Sequence, residues 1–433
     1  MRKSVILLTP LLMIALIISA VGCAGKEAPT LTPTPTPILT ATPPQSAQVI
    51  LNQIEAEVSG IRGLSAKAEI EPQFVTRQEL KAYLDQDFAE NNPPEQLRVE
   101  KAELAMLDLL PADYDLPTHL LELSEEQVIG FYDDKTNEMV VLGNLSQIGD
   151  AEKITFAHEY DHALENQSFN LQALPLHDKD NSDLTLAAQS VVEGDATLAM
   201  MLYAYRYLGP NAINDIARST GGNNTALDAA PAVIRETLLF PYLQGTEFLM
   251  SVFLQGGWQA VNHLYTDLPK STEQILHPDK YMAHEQPQEV TIPDLKGSLG
   301  DEWSELDSSV LGELDTRIYL GAFVDSTTAT KASEGWGGDR YVFYEDANQR
   351  DLLVLRSTWD TPQDTQEFFD TYLLFVHNKS KDSWPVRLNT QDQRWWNAPG
   401  QSVYLSKQGN DVTIILAPDK ETVTSILPRF AMP

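Results

Sequence analysis

Between residues 46 and 62 apolar side chains recur at helical spacing (Val49, Ile50, Ile54, Val58, Ile61), which predicts an amphipathic helix. A short extended stretch over 68–75 follows, then helical patterns over 76–90 and 94–110, the first with Thr76 placed to cap it. β-rich runs at 128–132 and 139–142 flank Asp133-Asp134-Lys135-Thr136-Asn137, whose turn chemistry predicts a hairpin. A helix starting near Ala151 carries two histidines. A polar loop over 175–183 separates it from a second helix at about 184–205. Past Gly221-Gly222-Asn223-Asn224 the pattern stays helical to about Leu276, punctuated by Pro241, Gly245, Gly256 and Gly257.

After Pro293 the texture changes. Strand-like runs at 340–344, 352–357, 403–406 and 412–416 alternate with helical ones at 361–375 and 420–430. No internal repeat is visible, and 433 residues are too many for one ordinary core. The expected fold class is α+β: a mostly helical domain over 46–298 with a small sheet or hairpin, then a smaller α+β domain over 299–433.

The N-terminus adds a compartment. Met1-Arg2-Lys3 precedes an apolar run over 5–20, short for a membrane span and the right length for a signal-peptide core. The run ends at Ala20-Val21-Gly22-Cys23, which resembles a bacterial lipobox, with residues 1–22 as signal peptide and Cys23 as the lipidated mature N-terminus. A Thr/Pro-rich tether over 23–45 follows. Its polyproline-like stretch would hold the folded part roughly 40–50 Å from the bilayer. The expected location is therefore extracytoplasmic, with the membrane reached only through the anchor at Cys23. Acidic residues outnumber basic ones by 62 to 30, for a formal charge of −32, which excludes nucleic acid as a partner. Cys23 is the only cysteine, so no thiolate metal site can form and any metal must be held by histidine and carboxylate.

That restriction bears on His158-Glu159-Tyr160-Asp161-His162. Histidines four apart on a helix share a face and can ligate one tetrahedral zinc ion. Glu159 beside the first of them is placed to take a proton from a water on that ion and pass it to a leaving amine. The competing reading is a surface helix with two solvated histidines. The third ligand cannot follow the metzincin spacing, because that would need Gly at 165 and His at 168, which are Glu165 and Ser168. Glu193, in the otherwise apolar Val191-Val192-Glu193-Gly194-Asp195-Ala196-Thr197, is the better candidate, since an unpaired carboxylate there is costly unless it meets a cation. Gly194 would let this helix lie close to the histidine helix. Asp195, about 200° further round, cannot ligate the same ion, while Thr197 is placed for a supporting role. His177 and Asp178 are reserve ligands. His277 or Tyr281, at the end of a short helix opened by Ser271 and Gln274, could donate to a developing oxyanion. The calcium-like start at Asp178 lacks the Gly and Glu such loops need, and the C-terminal tryptophans are expected in the core.

These residues together resemble a group of uncharacterised bacterial lipoprotein metallopeptidases of gluzincin type. The resemblance runs from about Ile61 to Phe375 and includes 158–167, 193–197, 271–281 and 335–341. It implies a zincin-like fold, Zn2+ held by His158, His162 and Glu193, Glu159 as catalytic base, and hydrolysis of a peptide or protein substrate. Well-studied gluzincins carry Asp one turn after the ligand Glu, where this chain has Thr197. Two rival expectations keep the same ligands: a catalytically silent zincin-fold scaffold lipoprotein, and a zinc amidase acting on cell-wall material.

Overall fold

The computed structural model describes residues 12–13, 47–143, 148–212 and 225–430. Cys23, the tether over 23–45, the glycine-rich break at 221–224 and all of the signal segment except 12–13 lie outside the described residues.

The N-terminal part opens with strand β1 (Leu12–Met13), helix α1 (Ala47–Arg62), β2 (Pro72–Val75), α2 (Arg77–Asn91), α3 (Pro94–Met106) and α4 (Leu116–Gln127). Thr76 caps α2 with a full capping box shared with Glu79, as its sequence position implies. Strands β3 (Gly130–Asp133) and β4 (Glu138–Leu142) form the expected antiparallel hairpin, with the Asp133 carboxylate accepting from the Lys135 amide and Asn137 at φ 58°. β2 joins β4 in parallel, and the Leu12–Met13 strand lies antiparallel on the outer edge of β3.

Four helices carry the centre of the molecule: α5 (Asp150–Phe169), α6 (Ser182–Tyr203), the short α7 (Thr225–Ala229) and α8 (Ala232–Leu264), the last broken at Gly256–Gly257. Nearly every residue of α6 from Asp183 to Met200 is buried, so this helix is wrapped on all sides and has no polar face. Leu51, Ile54 and Val58 of α1 pack on Tyr160, Ala163 and Leu164 of α5, each of the three α1 side chains contributing about 1.5–3 kcal/mol by burial. Gly194 makes a close approach, but to a different helix than its sequence position suggests. A Cβ there would stand 2.6 Å from the Gly245 carbonyl carbon, so it seats α6 on α8 rather than on α5.

Short helices α9 (Thr272–Leu276), α10 (Pro278–Met282) and α11 (Lys296–Leu299) lead to a seven-stranded antiparallel sheet. Its strands are β5 (Trp303–Ser309), β6 (Trp336–Asp346), β7 (Asp351–Trp359), β8 (Val386–Asn389), β9 (Gln393–Ala398), β10 (Gln401–Gln408) and β11 (Asp411–Ala417), ordered β5-β6-β7-β11-β10-β9-β8. Helices α12 (Gly312–Gly321), α13 (Ser326–Ser333), α14 (Pro362–Ser380) and α15 (Lys420–Ile426) complete it. The fold is thus mixed α+β. Trp336 and Trp359 are fully buried, in line with a packing role.

The apolar core does not stop near residue 299. Leu104 of α3, Val191 of α6, Phe248 of α8, Leu314 of α12 and Trp359 of β7 belong to one continuous cluster. A polar clasp reinforces the join. The buried Asp183 carboxylate, in the first turn of α6, accepts from the Thr272 amide at 2.9 Å and its hydroxyl at 2.5 Å, and the Thr272 hydroxyl accepts in turn from the Leu314 amide. Gly312, at φ 76°, lies against that carboxylate where no side chain would fit.

Candidate metal centre

Helix α5 presents His158, Glu159 and His162 inward, and α6 brings Glu193 to meet them; all four side chains are at most 2% exposed. The His158 and His162 Nε2 atoms are 2.8 Å apart, and Glu193 Oε2 lies 3.4 Å from each. The two rings stand nearly perpendicular, at 81°. Ligands about 2.0–2.1 Å from a tetrahedral zinc lie roughly 3.3–3.4 Å from one another, close to the spacing of Glu193 from the imidazoles. Both Glu193 oxygens are buried without a hydrogen-bond partner, an expensive condition that a cation relieves. The donor set, two imidazoles and one carboxylate, is one that catalytic zinc sites use with a fourth position open. These residues therefore fit a divalent ion. His177 and Asp178 are not in the group.

Electrostatics follow from the burial. Burial, then His162, push the His158 imidazole down to about 4. Burial also opposes charge on His162, but Glu165 and Glu193 outweigh it and raise its pKa well above the usual value. Glu193 is pushed up by burial and pulled down further by the two histidines, ending below the ordinary carboxylate range. Glu165 and Glu193 thus favour positive charge where the ligand atoms converge. Burial raises Glu159 far above the usual value, against opposing pulls from His162 and from the Tyr132 backbone.

Two features behind the ligands were not legible beforehand. Glu165 Oε2 accepts from His162 Nδ1 at 3.1 Å, leaving Nε2 as the nitrogen free to ligate. The i+3 spacing of a carboxylate from His162 is the local signal in the sequence that marks this support. Beyond Glu165 lie Asp161 and Asp195, with their oxygens and that of Glu165 within 4.8 Å of one another, and Arg62 of α1 pairs with them. Asp195 is not in the His158–His162–Glu193 group and is bonded instead to Arg62. Thr197 Oγ1 is buried with no partner.

His277 and Tyr281 hold other partners. His277, between α9 and α10, has Nε2 at 3.0 Å from Glu313 Oε1, and Tyr281 donates its hydroxyl to the Asp267 carbonyl at 2.8 Å. Ser271 caps α9 by accepting from the Gln274 amide, while Gln274 Oε1 accepts from the Lys270 amide, one residue earlier than a reciprocal box would place it.

A model of a domain of unknown function, DUF8575, matches residues 302–427, from the start of β5 to the end of α15. No curated protein matches the chain. The crystal structure of a candidate hydrolase with a novel fold from Chloroflexus aurantiacus is similar over 55% of this chain and 88% of that one, at 16% identity and a TM-score of 0.35. A likeness at that level carries no argument about fold or chemistry.

Proposed function

We propose that this chain is a zinc-dependent hydrolase of gluzincin type that cleaves peptide bonds outside the cytoplasm, tethered through Cys23. The observation that carries the reading is the convergence of His158, His162 and Glu193 on one point, with the buried Glu159 carboxyl in the next position along α5. A zinc ion there would act as a Lewis acid and lower the pKa of a water molecule. Glu159 would accept a proton at its carboxylate and return it to the leaving amine, from the position next to His158 on α5. Glu165 would hold His162 in the tautomer that ligates through Nε2. A substrate carbonyl would enter past β3, which lies on α5 at Gly130, and an extended peptide could run along the edge that Leu12–Met13 takes. His277 and Tyr281 would donate to the oxyanion only by exchanging their bonds to Glu313 and Asp267.

The burial of the ligands favours a second reading, a scaffold lipoprotein with a structural metal. Against it stand the three-ligand donor set, which leaves a coordination position open, and the retained Glu159. Zinc content, together with turnover of casein and of a peptidoglycan fragment by wild type and Glu159→Ala, separates these readings. Casein cleavage lost in Glu159→Ala with zinc retained supports the peptidase. Cleavage of the peptidoglycan fragment alone makes it an amidase, and bound zinc with neither activity makes it a scaffold.

A further inference from the structure

Arg62 is the last residue of α1 and its guanidinium is completely buried, which requires that its charge be answered. Asp195 of α6 answers it with two bonds, Nε to Oδ1 at 2.9 Å and Nη2 to Oδ2 at 2.7 Å. Asn262, beyond the break in α8, accepts from Nη1 at 2.7 Å, and the Trp258 ring lies 4.4 Å from the guanidinium carbon. Asp161 of α5 is 4.0 Å away, and the Tyr265 hydroxyl donates to Asp195 from the other side. One side chain at the end of the N-terminal helix thus joins α1, α5, α6 and the far segment of α8.

What this junction backs onto is the metal centre. Asp161, Asp195 and Glu165 place oxygens within 4.8 Å of one another, and both Asp161 oxygens and Glu165 Oε1 are buried without hydrogen-bond partners. The other Glu165 oxygen is the one that holds His162. Three carboxylates this close repel one another, and Arg62 is the cation that packs against them. Without it, Asp195 loses the cation it is bonded to, Asp161 is left with the pull of His162, and Glu165 stands against two poorly compensated carboxylates.

Resting on the zinc-site reading above, we propose that Arg62 is a positioning residue of the metal centre, and that docking of α1 and binding of the metal ion strengthen each other. The route is Arg62 to Asp195 and Asp161, then Glu165, then the His162 ring. Coupling of this kind is reciprocal, so whatever factor α1 docking adds to metal affinity, the metal adds to α1 docking. On this view α1 is part of the working centre rather than a removable pro-segment, and a chain cut between α1 and β2 holds its ion less tightly.

The test uses the folded chain and zinc alone. Zinc affinity, measured by competition with a chromophoric chelator, should fall about 10–100-fold in Arg62→Met, the range for losing a group that orients a ligand. Arg62→Lys, which keeps the charge but not the two-pronged geometry, should fall between that variant and wild type. Backbone hydrogen exchange in 47–62 of the wild type should slow on adding zinc, and this response should shrink in Glu165→Gln. A folded Arg62→Met with wild-type zinc affinity would overturn the proposal. So would exchange in α1 that ignores zinc in the wild type, a measurement that stands even if Arg62→Met does not fold. A wild type that binds no zinc fails at the earlier step and overturns the zinc-site reading itself.

Discussion

Gly194 and Gly245 face each other across α6 and α8: a Cβ on the first would meet the second's carbonyl carbon at 2.6 Å, and a Cβ on the second would meet the Ser190 carbonyl oxygen at 2.5 Å. Neither obstacle is the flexible end of a side chain, so the backbone itself would have to move. Glu193 is next to Gly194, and any shift of α6 displaces the third ligand. Gly194→Ala is therefore expected to cost about 2–3 kcal/mol of stability and to weaken zinc binding as well. Denaturant midpoints and a zinc titration check this. An unchanged midpoint would mean that the helices are less tightly seated than their spacing indicates.

Metal removal gives a second prediction. A ligand that binds only the folded state stabilises it in proportion to the logarithm of its excess over Kd, about 4 kcal/mol at a thousandfold excess. Zinc should raise the Tm of the wild type, and EDTA should return it to the apo value. Glu193→Gln keeps the size of the side chain but removes its charge, and should lose most of the shift. A full zinc-dependent shift in Glu193→Gln would place the third ligand elsewhere.

Gly130 of β3 rests on α5, where a Cβ would stand 2.8 Å from Thr155 Cγ2 and 3.4 Å from Glu159 Cγ. Thr155 can yield only by moving the strand or changing its rotamer, and either disturbs the surroundings of Glu159. Gly130→Ala should therefore lower kcat for casein about 10-fold or more while zinc content stays stoichiometric. Loss of zinc in this variant, or unchanged turnover, would count against strand β3 as the wall over Glu159.

The ligand helices were readable because a His pair at i, i+4 and a lone glutamate in an apolar run are both local patterns. The hairpin over 130–142 was readable for the same reason, through its turn residues. Helix α4, strands β5, β8 and β9, and helices α10 to α13 lie where the local pattern predicts no element. Pro117 and Gly312 sit in the first turns of α4 and α12, where they resemble breaks, and β8 is a four-residue, mostly exposed strand too short for its alternation to stand out. Long-range partners were also hidden. Nothing near Arg62 in sequence announces that it will pair with Asp195, which lies 133 residues away, or that Gly194 will meet Gly245. The boundary near 299 marked a change of texture, but apolar residues on both sides of it share one core.

Glu100 of α3, facing the C-terminal sheet, supplies a prediction in pH. Burial, then Asp307, push its carboxyl from the ordinary 4.5 up to about 8. A folded-state value above the unfolded one means that the folded chain keeps a proton the unfolded chain releases. The stabilising contribution is complete below the unfolded value of 4.5 and is lost as pH rises through 8. Gln has no such proton to lose. Glu100→Gln should therefore be close to wild type in stability at pH 4.5 and progressively more stable towards pH 8, by on the order of 3–4 kcal/mol at the upper end. Urea unfolding of both proteins across that range measures the gap. A gap that stays flat would mean that Glu100 is already ionised in the folded chain, with a counter-charge near it.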